Sequence, residues 1–230
     1  MDGGHGTIGG LTSKLMNGLT WLHLSDWHQR GRDFDRTVVR DALVRDIRER
    51  VKIDPALAEV DFVIFSGDVA FAGKAEEFQA AKEQLFAPVL EVLGLPPQKL
   101  FIVPGNHDLS DQRVKKFLPP DLQKPLENEE QVQNWLTDEE SREVALGPFK
   151  DFASFVTGYT GQKPAAYANA WTGFIGSGSK TVGILCLNSA WMCGRNLDAK
   201  GKINDQSFLA LGEPQLLAAC RTLQKAILYK

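Results

Sequence analysis

The chain has 230 residues, 43% of them hydrophobic, enough to bury a sizeable core as one large or two modest domains. Its 26 basic and 29 acidic residues leave a net charge of −3. That excludes the overall basic footprint of a typical nucleic-acid-binding domain, though not a local groove. Cys186, Cys193 and Cys220 are an odd number without CxxC spacing, so a disulfide framework is excluded and a reducing, cytoplasmic setting is expected.

Residues 1–18 are rich in glycine and hold no apolar stretch of signal-peptide length, so they read as a disordered leader in which His5 is inert. No run in the chain is long enough to cross a membrane. Residues 20–25 read as a short strand with few charges, the pattern of a strand covered on both faces. His23 within it reads more readily as a satisfied core histidine than as a ligand. An amphipathic helix is expected over 36–52, with Val39, Leu43, Ile47 and Val51 as its buried stripe. Its arginines alternate with Asp41, Asp46 and Glu49, and the Asp41–Arg45 spacing points to a solvated, salt-bridged face.

A second strand follows at 60–65. A second helix fits 74–93, with Phe78, Leu85 and Val89 on one side and a distortion at Pro88. Leu100–Val103 is the third strand. Strand–helix–strand–helix–strand implies a parallel sheet, whose carboxyl ends carry the ligand site. Residues 110–165 are polar and proline-rich, with one or two helices packed through Trp135, Leu136, Val144, Leu146, Phe149, Phe152 and Phe155; they read as a cap-like insertion. Residues 168–175 and 181–188 read as a hairpin and 188–206 as a polar loop. A last helix is expected over 215–225, with a further strand beginning at Ala226–Tyr229.

Three of these strand ends carry chemistry: Asp26-Trp27-His28, Gly67-Asp68 and Gly105-Asn106-His107-Asp108. Carboxylate, imidazole and amide donors suit Mn, Fe, Zn or Ni rather than a thiolate zinc site. Asp26 and His28 could turn to one ion, Asp68 could bridge two, and Asn106 could reach the second. Two ions roughly 3.5–4 Å apart would hold a phosphoryl centre and activate a bridging water. His107 could then protonate the leaving alkoxide, with Asp108 fixing its tautomer. Each piece alone also has an ordinary reading as a turn.

In order and spacing, the phrases LHLSDWH, FVIFSGDVA and FIVPGNHDL resemble the first three motifs of the calcineurin-like metallophosphoesterase superfamily. The run VGILCLNSAW resembles the next core strand in the bacterial, cyclic-nucleotide phosphodiesterase-like branch. The resemblance implies an α/β fold: an αββα sandwich of two sheets flanked by helices, with a dinuclear centre. It places Asp26 and His28 on the first metal, Asp68 on the bridge and Asn106 on the second metal, with His107 and Asp108 catalytic. It implies a phosphohydrolase acting on phosphodiesters of nucleotides or nucleic acid through two divalent transition metals.

The family's two later motifs supply three more ligands through histidines, yet the four histidines here are His5, His23, His28 and His107. The chain therefore reads as the N-terminal portion of the domain over 19–230, its C-terminal part incomplete. Partial or no metal occupancy, weak or no turnover and self-association through an exposed sheet edge are expected. The alternative is a non-catalytic binding or scaffold module within a larger protein. Gln29, Arg30 and Arg32 read equally as phosphate contacts or as solvated loop residues. Asn188 reads as a pocket-lining residue or, more readily, as a cap on its own loop.

Overall fold

The computed structural model describes residues 19–30, 34–110, 113–114, 126–162, 171–177, 180–194 and 208–228. The expected leader over 1–18 lies outside them. Strands β1 (Trp21–Leu24), β2 (Phe62–Ser66) and β3 (Leu100–Val103) form a parallel sheet in the order β1-β2-β3. Leu22 lies opposite Val63, and Phe65 opposite Ile102. The apolar character of β2 and β3 reflects their position, with Phe62, Val63, Phe65, Leu100, Phe101 and Ile102 all buried. β1 departs from the expected two-sided burial. Trp21 is 54% exposed, stacked on Phe62, and His23 lies on the same open face with its Nε2 2.7 Å from Ser66 Oγ.

Helix α1 (Phe34–Glu49) joins β1 to β2, but its stripe is narrower than the spacing suggests. Ile47 is buried and Leu43 packs on the same core, whereas Val39 and Val51 are exposed. The helix tightens into a 3₁₀ turn at Arg50–Lys52, so Val51 no longer continues the stripe. Arg50 sits at that junction and donates to the carbonyls of Ile47, Leu57 and Ala58. On the outer face Asp41 is held by Arg40 at 2.7 Å, and Arg45 lies 3.9 Å from Asp46.

The connection from β2 to β3 is α2 (Ala75–Ala81), a π turn (Lys82–Phe86) and α3 (Ala87–Leu93). The π turn answers Pro88. Proline has no N–H for a carbonyl four residues back and its ring would press on that carbonyl, so the preceding turn widens. Phe78, Leu85 and Val89 are buried against the sheet, as the spacing predicts, and Phe86 joins them.

Beyond β3, α4 (Glu129–Thr137), α5 (Glu139–Leu146) and α6 (Lys150–Thr160) follow. Asn128 and Asp138 start the first two by accepting from Gln131 and Ser141 N–H. Phe152 and Val156 of α6 enter the core of the parallel sheet. Leu136, Ala145 and Phe149 belong instead to a second core with Leu109, Trp191, Met192 and Phe208.

β4 (Trp171–Ser177) and β5 (Lys180–Cys186) form the expected antiparallel hairpin. A Cβ at Gly173 would stand 2.2 Å from the Phe101 ring, so glycine lets the hairpin approach the parallel sheet there. Two expectations change. Residues 188–194, read as the start of a polar loop, are largely buried, with Ala190 to Cys193 filling the second core. The last helix, α7 (Glu213–Leu228), runs through Ala226 to Leu228, where a strand was expected to begin. No helix among the described residues is long and apolar enough to cross a membrane.

Candidate metal centre

The carboxyl ends of β1, β2 and β3 meet at one edge, where the backbone takes an uncommon path. Asp26, His28 and Asp68 have φ of 59°, 48° and 59°, the left-handed region that side chains other than glycine seldom occupy. Each such residue costs roughly 1–3 kcal/mol unless its surroundings enforce it. Hydrogen bonds between the strand ends supply the constraint. Asp26 N–H donates to the Gly67 carbonyl at 3.0 Å, His28 N–H to the Asp68 carbonyl at 2.8 Å, and Gln29 N–H to the Val69 carbonyl at 2.9 Å. The first two turns are thus zipped together beyond the sheet proper.

The third turn is locked to the second. His107 N–H donates to Asp68 Oδ1 at 3.0 Å. Asp108 is fully buried and accepts from Ala70, Gly105 and Val69 N–H at 2.7, 2.9 and 3.2 Å. Burial pushes its pKa up to about 7, against the pull of those three donors. The Asp108 carboxylate is therefore committed to backbone. The contact that orients the His107 ring is the Phe71 carbonyl, 2.9 Å from Nδ1. A carbonyl can only accept, so Nδ1 carries the hydrogen and Nε2 holds the lone pair of the neutral ring. Sequence spacing missed this partner because a carbonyl belongs to every residue type.

With these turns fixed, His28, Asp68 and His107 each offer a ligand atom within 4.8 Å of the others. His28 Nε2 lies 3.7 Å from Asp68 Oδ2 and 3.8 Å from Asp26 Oδ1. Ligands at ~2.0–2.2 Å from one ion stand roughly 3–4 Å apart, and the separations of His28 Nε2 from Asp68 and Asp26 fall in that range. Burial holds the His28 pKa below its ordinary value, more than Asp68 and Asp26 raise it, and so keeps the imidazole in its ligating form. Among the described residues the buried His28 Nδ1 has no hydrogen-bond partner. Asp26 is mostly exposed at the mouth, and Asn106 opens the 3₁₀ turn Asn106–Asp108, half-buried on the same edge.

The site has an aromatic wall. The His28 and His107 rings meet edge-on with centroids 4.7 Å apart, and Phe71 stacks on His107 at 5.4 Å. Arg30 stands over Phe71 at 3.6 Å. Behind, the buried Trp27 donates through its indole to Gln29, and Arg36 donates to the Trp27 carbonyl.

One sequence candidate lies apart from this constellation. Asn188 is fully buried, with Oδ1 accepting from Ala190 N–H at 2.9 Å and its own N–H donating to Gln215 Oε1 at 3.0 Å, a loop-capping arrangement. Its Nδ2 is buried without a partner. Arg32 lies outside the described residues.

Comparison with known proteins agrees with this geometry. The profile described as calcineurin-like phosphoesterase matches residues 19–172. An uncharacterized metallophosphoesterase-like protein of Bacillus subtilis, YydB, is 24% identical over 205 residues, covering 89% of this chain. The chain spans only 39% of that relative's length.

Proposed function

The chain belongs to the calcineurin-like phosphoesterase family, and from that premise we propose a metal-dependent phosphohydrolase that cleaves phosphodiesters of nucleotides or nucleic acid. The single observation that carries the reading is the approach of His28 to both Asp68 and Asp26 at the sheet edge, with the tethered His107 ring beside them.

In this reading Asp26 and His28 hold a first divalent ion, Asp68 bridges to a second, and Asn106 contributes to the second. Such ions, of Mn, Fe, Zn or Ni type, would neutralise phosphoryl oxygens and lower the pKa of attacking water. The chain's own part is positioning and proton transfer. Asp68 uses Oδ1 to hold the His107 backbone, which leaves Oδ2 directed toward His28. His107 is tethered at Nδ1, so its Nε2 is the atom that takes and gives a proton at the leaving oxygen. Asp108 contributes by tying the second and third turns together rather than by touching the substrate. Three free cysteines support the cytoplasmic setting. We take residues 19–230 as one domain with 110–165 inserted, and an exposed sheet edge as the surface for self-association.

Hydrolysis of bis-p-nitrophenyl phosphate with and without Mn²⁺ tests the proposal. With the later histidine ligands missing from this chain, it predicts weak metal-dependent turnover that Asp68→Ala abolishes. Activity indifferent to both the metal and the substitution would end it, and two bound ions without turnover would favour a binding module.

A further inference from the structure

We propose that Arg30 is a fixed second-anion site, so that the preferred substrate carries another phosphate beside the one that reacts. This rests on the phosphohydrolase reading and adds a substrate class to it. Arg30 lies two residues beyond His28, is exposed, and holds its guanidinium 3.6 Å from the centre of the Phe71 ring. Phe71 in turn stacks on His107 and offers it the carbonyl that orients its ring. The cation is thus carried on the same residue that positions the proposed proton donor.

Stacking fixes what this arginine can do. A guanidinium lying over an aromatic face uses its π surface there and keeps its N–H fork free around the rim. Among the described residues no carboxylate forms an ion pair with Arg30, although Asp26 and Asp68 stand at the adjoining centre. A planar fork of free donors beside a metal-type pocket matches an oxyanion, and phosphate accepts two such bonds side by side. Arg30 contacts Phe71 and Phe71 contacts His107, so the anion that Arg30 receives is assigned to a neighbour of the reacting phosphoryl group rather than to that group itself. The chemistry sought is therefore a phosphoester with a second phosphate, found in a nucleoside bisphosphate or along a nucleic-acid strand.

The test is calorimetric binding, with Mn²⁺ present, of two ligands that resist hydrolysis: thymidine 5′-phosphorothioate and its 3′-phosphorylated counterpart. The wild-type chain is expected to bind the ligand that carries the second, 3′-phosphate group about tenfold tighter, the gain of one charge-assisted contact. Arg30→Ala is expected to remove that preference and Arg30→Lys to keep part of it, with thermal melting confirming that both variants fold. A phosphorothioate thymidine tetranucleotide, run in parallel, assigns the source to a strand if its Arg30-dependent gain exceeds that of the free nucleotide. An unchanged preference in Arg30→Ala, no preference in the wild type, or no binding of either nucleotide overturns the proposal. No turnover is required, so failed hydrolysis of bis-p-nitrophenyl phosphate would count against the hydrolase reading alone.

Discussion

Gly105 lies so tightly against Asp68 that a Cβ on it would stand 2.1 Å from Asp68 Oδ1 and 2.6 Å from Asp68 N. The third turn therefore approaches the second at a distance only glycine permits. That approach also brings His107 N–H onto Asp68 Oδ1. Gly67 reinforces it, since its own Cβ would lie 3.1 Å from Gly105 Cα and its φ is +109°.

Gly105→Ala is expected to displace the Asp68 carboxylate and weaken divalent-metal binding at least tenfold. The overpacking should also cost about 1–3 kcal/mol of stability. Mn²⁺ titration and urea unfolding of the variant read the two effects. Native metal affinity with the alanine in place would show that the close approach is incidental.

Asp108 makes stability depend on pH. Its folded pKa of about 7 lies above the ordinary 3.8, so between these values the folded chain keeps a proton that the unfolded chain has released. The Asp108 contribution is full below about pH 4 and is lost as pH rises toward 7, with a slope of up to ~1.4 kcal/mol per pH unit. It then levels off. Asp108→Asn cannot titrate and places an amide N–H₂ against backbone donors, costing about 1–3 kcal/mol at low pH. Urea unfolding of both proteins without metal, from pH 4 to 8, should show the wild-type advantage shrinking as pH rises and reversing by about pH 7, since the linkage over that range is worth up to ~4 kcal/mol. A constant gap would rule out the elevated pKa.

Ile47→Ala is expected to destabilise the chain by about 2–4 kcal/mol, while Val51→Ala should change stability by less than ~0.5 kcal/mol. Thermal or urea unfolding separates them. Comparable losses at both positions would restore the longer buried stripe.

That contrast shows what the sequence could reveal. Leu100–Val103 was legible to the residue, and the three strand ends were legible because apolar runs stopping at Asp, His and Asn have few other uses. Val51 was misread because i+4 spacing assumes that the helix continues, whereas the turn tightens after Glu49. Ala226 to Leu228 read as a strand start because short apolar runs do not distinguish strand from helix. The left-handed backbone at Asp26, His28 and Asp68 had only a weak signature, since Asp and His tolerate a positive φ better than most residues but usually avoid it. The Phe71 carbonyl had none either, and Asp108 was assigned to the neighbouring imidazole when the fold turns its oxygens toward backbone of two strand ends.

His107→Gln is expected to lower kcat far more than metal affinity. Its ring is anchored by Phe71, and the proposal gives Nε2 to proton transfer. Removing a general acid costs about 10²–10⁴-fold in rate. Parallel measurement of bis-p-nitrophenyl phosphate turnover and Mn²⁺ affinity checks this. Equal loss in both would make His107 chiefly a ligand.

The central claim is that three strand ends make one metal centre. Its most direct measurement is Mn²⁺ binding followed by electron paramagnetic resonance, on the wild-type chain beside Asp68→Ala and Asp26→Ala. The account predicts saturable binding in the wild type, a loss of at least about 100-fold in Asp68→Ala, and a smaller loss in Asp26→Ala, whose carboxylate is the more exposed. Equal Mn²⁺ affinity in all three proteins would contradict it.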